Sequence, residues 1–116
     1  MPTLSLKIEF GGGLELLFSN KRSHRITLPA TVPANNSTNT TSPVTEATKP
    51  VDITYLIYYL KDHMLKERVE LFMEKGTVRP GILVLVNDTD WELEGEGEYQ
   101  LKDGDEVVFI STLHGG

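Results

Sequence analysis

Asp52-Ile53-Thr54-Tyr55-Leu56-Ile57-Tyr58-Tyr59-Leu60 has a helical apolar period, and the class of the fold turns on it. Ile53, Leu56, Ile57 and Leu60 fall at i, i+3, i+4 and i+7, so a helix lines them up as one apolar stripe. Asp52 stands just before them, where its carboxylate can cap the first turn. Lys61, Asp62 and Lys66 take polar positions toward the end. Tyr55, Tyr58 and Tyr59 flank the stripe, and partial burial at its margins accounts for them better than a binding surface does.

Upstream, Leu4, Leu6, Ile8 and Phe10 alternate with Ser5, Lys7 and Glu9, the period of a half-buried strand. Gly11-Gly12-Gly13 breaks the pattern as a tight turn; the Lys-Ser/Thr that would complete a phosphate loop is absent. Leu14, Leu17 and Phe18 suit an apolar turn, and His24 to Leu28 reads as a second strand pairing with the first. From Pro29 to Pro50 the chain is Pro, Ala, Thr, Asn and Ser with almost no large apolar side chain. Such a stretch buries too little to offset its ordering entropy. It is expected to be a long, mobile loop (29–50) inserted in the domain, which a logarithmic closure cost tolerates.

Downstream, Val69 to Met73 fits either a helical turn or a short strand. Arg79-Pro80-Gly81 is a turn, and Ile82-Leu83-Val84-Leu85-Val86 predicts a strand buried on much of both faces. Asn87-Asp88-Thr89-Asp90 ends it. Leu93 and Tyr99 to Leu101 predict a short strand and a loop, Asp103-Gly104 a turn, and Glu106 to Ser111 the last strand. Strand, strand, loop, helix, strand, short strand, strand is an α+β order. It fits a β-grasp, ubiquitin-like mixed sheet with one main helix packed across it. The first and last strands then run parallel in the middle, and the crossover through the helix is right-handed. The domain is expected to span 1–111, leaving 112–116 as a flexible C-terminal tail.

At 116 residues the chain fits one small domain. It contains no cysteine, which removes disulfides, a thiolate nucleophile and Cys-based zinc sites. No apolar run is long enough to cross a bilayer, and Met1-Pro2-Thr3-Leu4 lacks the features of a secretory signal, so a cytoplasmic location is expected. On that footing the glycosylation patterns at Asn35, Asn36, Asn39 and Asn87 are read as accidents of composition. The formal charge of −6 concentrates between Asn87 and Glu106. A solvated acidic surface is the favoured reading and steering toward a basic partner the other. Direct nucleic-acid binding is disfavoured, since only Lys21-Arg22 with Arg25 clusters positive charge.

The end of the chain, Ser111-Thr112-Leu113-His114-Gly115-Gly116, is unlike a core segment. A terminal glycine pair can be no more than a fraying end. Glycine also suits a carboxylate that must enter a nucleotide-bearing site and be attacked there, because no Cβ obstructs either step. Extended from Ser111, the carboxylate would reach on the order of 20 Å from the domain. Adenylation by a partner would make it open to a sulfur nucleophile.

Arg79-Pro80-Gly81-Ile82, Leu85 through Gly95, Asp103-Gly104-Asp105 and Ser111 through Gly116, with Phe10-Gly11-Gly12-Gly13-Leu14-Glu15, closely resemble the eukaryotic ubiquitin-related modifier family. The resemblance covers nearly all the chain except Pro29 to Pro50, which is longer than the family's usual connection. It implies a sulfur carrier that is not itself an enzyme and binds no cofactor of its own. An activating enzyme would use ATP and a sulfur donor to adenylate Gly116 and convert it to a thiocarboxylate. The sulfur would pass to a tRNA-thiolating complex acting on wobble uridines, and the same carbon could be joined to lysines of target proteins. Carried over by position, Gly116 is the thiocarboxylate and isopeptide point, Gly115 permits access, and His114 and Leu113 contact the activating enzyme. The tail lacks the prolines that bacterial-type carriers for molybdenum cofactor or thiamine often show before Gly-Gly, which favours tRNA thiolation.

Two other classes are open. An enzyme would draw on His24, His63, His114 and the carboxylate pairs Asp88/Asp90 and Asp103/Asp105, which lack any accompanying signature. A non-covalent ubiquitin-like binding module would use Val108 and Ile110 on the outer sheet face, with Val107 and Phe109 in the core. Val108 and Ile110 are equally consistent with scattered exposed apolar residues. Deleting Gly115-Gly116 separates the carrier from the module.

Overall fold

The computed structural model describes residues 2–33, 48–65 and 68–112. Strand β1 (Thr3–Gly11) leads through the 3-10 turn Leu14–Leu17 to β2 (Ser23–Pro29). Strands β3 (Thr31–Pro33) and β4 (Thr48–Pro50) precede the helix α1 (Ile53–His63). A 3-10 turn at Val69–Leu71 and the short strands β5 (Met73–Glu74) and β6 (Thr77–Val78) follow. The chain closes with β7 (Ile82–Val86), β8 (Thr89–Asp90) and β9 (Glu106–Ser111). The main sheet has five strands in the order β2-β1-β9-β7-β8. β1 and β9 run parallel at its centre, and its other pairs are antiparallel. This is the expected α+β arrangement.

Helix α1 forms as its stripe requires. Asp52 caps it, its Oδ1 accepting from Tyr55 N at 3.0 Å. Ile53, Leu56, Ile57 and Leu60 are fully buried and share one core with Leu6, Ile8 and Phe10 of β1, Val84 of β7 and Val107 and Phe109 of β9. Tyr55 and Tyr59 are half-buried, as expected at the margins, whereas Tyr58 is exposed. The four phenylalanines of the chain gather in this core. Phe10 stacks on Phe18 at 3.9 Å and on Phe109 at 5.8 Å, while Phe72 meets Phe18 edge-on at 5.2 Å and Phe109 at 5.6 Å. Such arrangements add to simple burial.

Four expectations need correction. The stretch from Pro29 to Pro50 is not loop throughout: β3 and β4 pair antiparallel through Thr31↔Pro50, Val32↔Lys49 and Pro33↔Thr48. Val32 is buried and holds this ladder to the core; residues 34–47 lie outside the described ones. The apolar run Ile82 to Val86 is buried on one face only. Ile82, Val84 and Val86 enter the core, whereas Leu83 and Leu85 are half-buried on the other side. The helix covers a single face of the sheet, so among the described residues the opposite face receives no apolar layer.

Thr89 and Asp90 extend the sheet rather than end it, pairing with Val86 and Leu85. The two-residue turn between them, Asn87-Asp88, has φ of 50° and 72°, the left-handed pair of a type I′ hairpin that Asn and Asp tolerate. Finally, Tyr99 to Leu101 makes only an isolated antiparallel bridge, Gln100 to Asp52, in place of the expected short strand. It runs beside the helix entry, with Ile53 N donating to Tyr99 O at 3.2 Å and Leu101 N to Val51 O at 2.9 Å.

Candidate functional site

The parallel β1–β9 pair carries the end of the chain out of the centre of the sheet. β9 ends at Ser111, which registers with Ile82. Thr112 continues that edge, donating from its backbone N to the Gly81 carbonyl at 2.8 Å and from its hydroxyl to the same oxygen at 2.5 Å. On the opposite side Gly12 closes against Ser111. A Cβ on Gly12 would lie 2.9 Å from the Ser111 nitrogen and nearer still to its carbonyl oxygen. The sequence places Thr112 in the flexible tail, but these bonds tie it to the domain. Leu113, His114, Gly115 and Gly116 lie outside the described residues.

The sheet face away from α1 bears Val108 and Ile110, both half-buried. They are not scattered. The register sets Leu85 opposite Val108 and Leu83 opposite Ile110, so four apolar side chains occupy adjacent positions on one open face. Sequence reasoning missed Leu83 and Leu85 by placing them in the core; among the described residues no second layer covers their face, which leaves them half-buried. On the β1 side Glu9 sits beside Val108 and Gly11 beside Ile110. Lys7 bridges Glu9 at 3.1 Å and Glu106 at 3.8 Å, giving the apolar face a charged margin.

Among the described residues, the carboxylates and histidines that an enzyme would have needed do not converge. Among the described residues, no group of three or more His, Asp or Glu is placed to hold a metal ion. The Asp103 carboxylate accepts from Ser5 N at 2.7 Å, fastening its turn to β1, and that of Asp90 accepts from Glu92 N at 2.9 Å, capping a local turn, so both have structural partners. His24 hydrogen-bonds the Lys21 carbonyl and meets the edge of Phe10, and His63 lies against Tyr59.

Asp105 is a structural centre, 6% exposed. Its carboxylate accepts from Asn87 Nδ2 at 2.9 Å, the Tyr99 hydroxyl at 2.8 Å and Lys102 N at 2.9 Å. Burial of the Tyr99 ring, then its bond to Asp105 and the charges of Asp105 and Glu94, push its pKa from 10.0 to about 12. Between those values the unfolded chain releases a proton that the folded chain keeps. Tyr99 therefore supports the fold fully below pH 10, and that support fades as pH rises toward about 12. The urea midpoint of the native protein should fall more steeply over this window than that of Tyr99→Phe. Identical slopes would refute the assignment.

A family model for ubiquitin-related modifiers matches residues 5–116. The chain belongs to the ubiquitin-related modifier family. It is 74% identical over 116 residues to ubiquitin-related modifier 1 of Laccaria bicolor, covering 98% of this chain and 95% of the relative. Identity to that of Coprinopsis cinerea is 70% over 116 residues, with 98% and 94% covered. The solution structure of Urm1 from Trypanosoma brucei superposes with a TM-score of 0.69 at 39% identity, covering 100% of this chain and 99% of that one.

The resemblance read from the motifs is thus established, and the fold is the β-grasp of ubiquitin-related modifiers. The chain is a sulfur carrier and protein modifier, a ubiquitin-like protein rather than an enzyme. Family members carry no intrinsic cofactor, and membership implies an activating-enzyme partner. No helix among the described residues is long and apolar enough to cross a membrane.

Proposed function

We propose that the terminal carboxylate of Gly116 is the group this modifier carries its sulfur on. One observation carries the reading: the family match runs through residue 116, so the Gly-Gly ending belongs to the family's pattern. A carboxylate oxygen of Gly116 attacks the α-phosphorus of ATP on the activating enzyme, and pyrophosphate leaves. Hydrosulfide delivered by the sulfur donor then attacks the acyl carbon, AMP leaves, a proton is lost, and a thiocarboxylate remains. Attack on the adenylated carbonyl by a lysine Nζ of a target protein, with loss of AMP and a proton, gives an isopeptide bond instead.

Gly115 leaves the carbonyl unobstructed. His114 and Leu113 line the passage into the activating enzyme, and the apolar face of Val108 and Ile110, widened by Leu83 and Leu85, docks the domain body. The carried sulfur goes to a tRNA-thiolating complex that modifies wobble uridines, in the cytoplasm. The acidic surface keeps the modifier itself off the nucleic acid.

Intact-mass spectrometry after incubation with an activating enzyme, ATP and a sulfur donor tests this. The expected result is a gain equal to the replacement of one oxygen by sulfur, confined to the C-terminal peptide. No gain, with an enzyme proven on a known carrier, would remove Gly116 from this role.

A further inference from the structure

The turn Arg79-Pro80-Gly81-Ile82 has Ile82 N donating to the Arg79 carbonyl at 3.1 Å. Proline at its second position and a glycine with φ of 100° at its third make it a type II turn. Arg79 N donates in turn to the carbonyl of Phe72 at 2.8 Å, and Phe72 is fully buried in the phenylalanine cluster. The Gly81 carbonyl is therefore an acceptor mounted rigidly on the core. It receives both the backbone N–H and the hydroxyl of Thr112. The N–H bond merely prolongs the ladder between β7 and β9. The hydroxyl bond is additional, and Thr112 is exposed, so this bond does not serve packing. Across the strand, Gly12 has φ of 68° and leaves no room for a side chain beside Ser111.

We propose that Thr112, clasped to the Gly81 carbonyl one residue beyond the close approach of Gly12 to Ser111, is a positioning residue that sets where and in which direction the reactive tail leaves the domain. This rests on the carrier reading above. Gly116 is four residues beyond the clasp, and four residues reach at most about 14 Å. A tail so short cannot make good a misdirected start. When the sheet face is docked, the direction of the first bond after Thr112 decides how often the Gly116 carboxylate meets the α-phosphorus in line. Releasing the clasp multiplies the conformations at the root and lowers the fraction of docked complexes in near-attack geometry. Docking uses a different surface, so it is unaffected.

Steady-state thiocarboxylation of the full chain by an activating enzyme tests this with two variants. Thr112→Val keeps the shape and the backbone N–H and loses only the hydroxyl; Thr112→Ser restores it. For Thr112→Val, kcat is expected to fall roughly three- to tenfold, the range one hydrogen bond commands, with KM for the modifier unchanged. Thr112→Ser should recover most of the loss. An unchanged kcat for Thr112→Val, a change confined to KM, or failure of serine to rescue would each overturn the clasp. If the native chain gains no sulfur from an enzyme active on a known carrier, the carrier reading falls instead and takes this proposal with it.

Discussion

Phe109→Ala is expected to destabilise the fold by about 3–5 kcal/mol, the usual cost of emptying a buried phenylalanine site. Phe109 is wholly buried and touches both Phe10 and Phe72, so it joins the aromatic pair under β1 to the segment that follows the helix. It also sits in β9 between Phe10 of β1 and Val84 of β7, at the middle of the sheet. Neighbouring rings are rigid and already packed against one another, so they cannot collapse into the space. Against a total stability of about 5–15 kcal/mol, this loss is a large fraction. Thermal unfolding followed by circular dichroism should show the midpoint lowered by more than about 10 °C. A shift of only a few degrees would mean the cluster is not the centre of the fold.

Removing Gly115 and Gly116 is expected to abolish sulfur loading while leaving the unfolding midpoint where it was. The described domain ends its bonded structure at Thr112, and each core residue precedes it. The new terminal carboxylate would belong to His114, set back by two residues and crowded by an imidazole. Mass spectrometry of the truncated chain with an activating enzyme, ATP and sulfur donor should show no sulfur gain and no adduct on target lysines. Retained loading would move the reactive group away from Gly116. Retained biological activity without loading would favour the other class, a docking module that works through Leu83, Leu85, Val108 and Ile110 alone.

Much of this protein is local in origin and therefore legible in the chain. The helix is written in the spacing of Ile53, Leu56, Ile57 and Leu60 and in the cap at Asp52, because helix formation depends on near neighbours. The first and last strands are written in the alternation that sends Leu6, Ile8 and Phe10 inward and in Val107 and Phe109. The Gly-Gly ending and the motifs around it point to the family without any coordinates.

What is not local was decided by the tertiary structure. Leu83 and Leu85 belong to an unbroken apolar run, and they stay half-buried beside Val108 and Ile110 because among the described residues the one long helix packs on the other face. Phe72 fell in an ambiguous segment whose role depends on Phe18 and Phe109, which lie far away along the chain. β3 and β4 form because the chain returns to pair beyond residues 34–47, an event that composition does not record. Asp103 and Asp105, which look like a catalytic pair in sequence, become hydrogen-bond acceptors for groups as distant as Ser5. Thr112 is likewise unremarked until Gly81 arrives beside it through the pairing of β7 with β9. Side-chain chemistry and near-neighbour periodicity determine the elements and the reactive end. Long-range pairing determines which surfaces stay open and where the tail is fastened, since each of those depends on segments brought together only by folding.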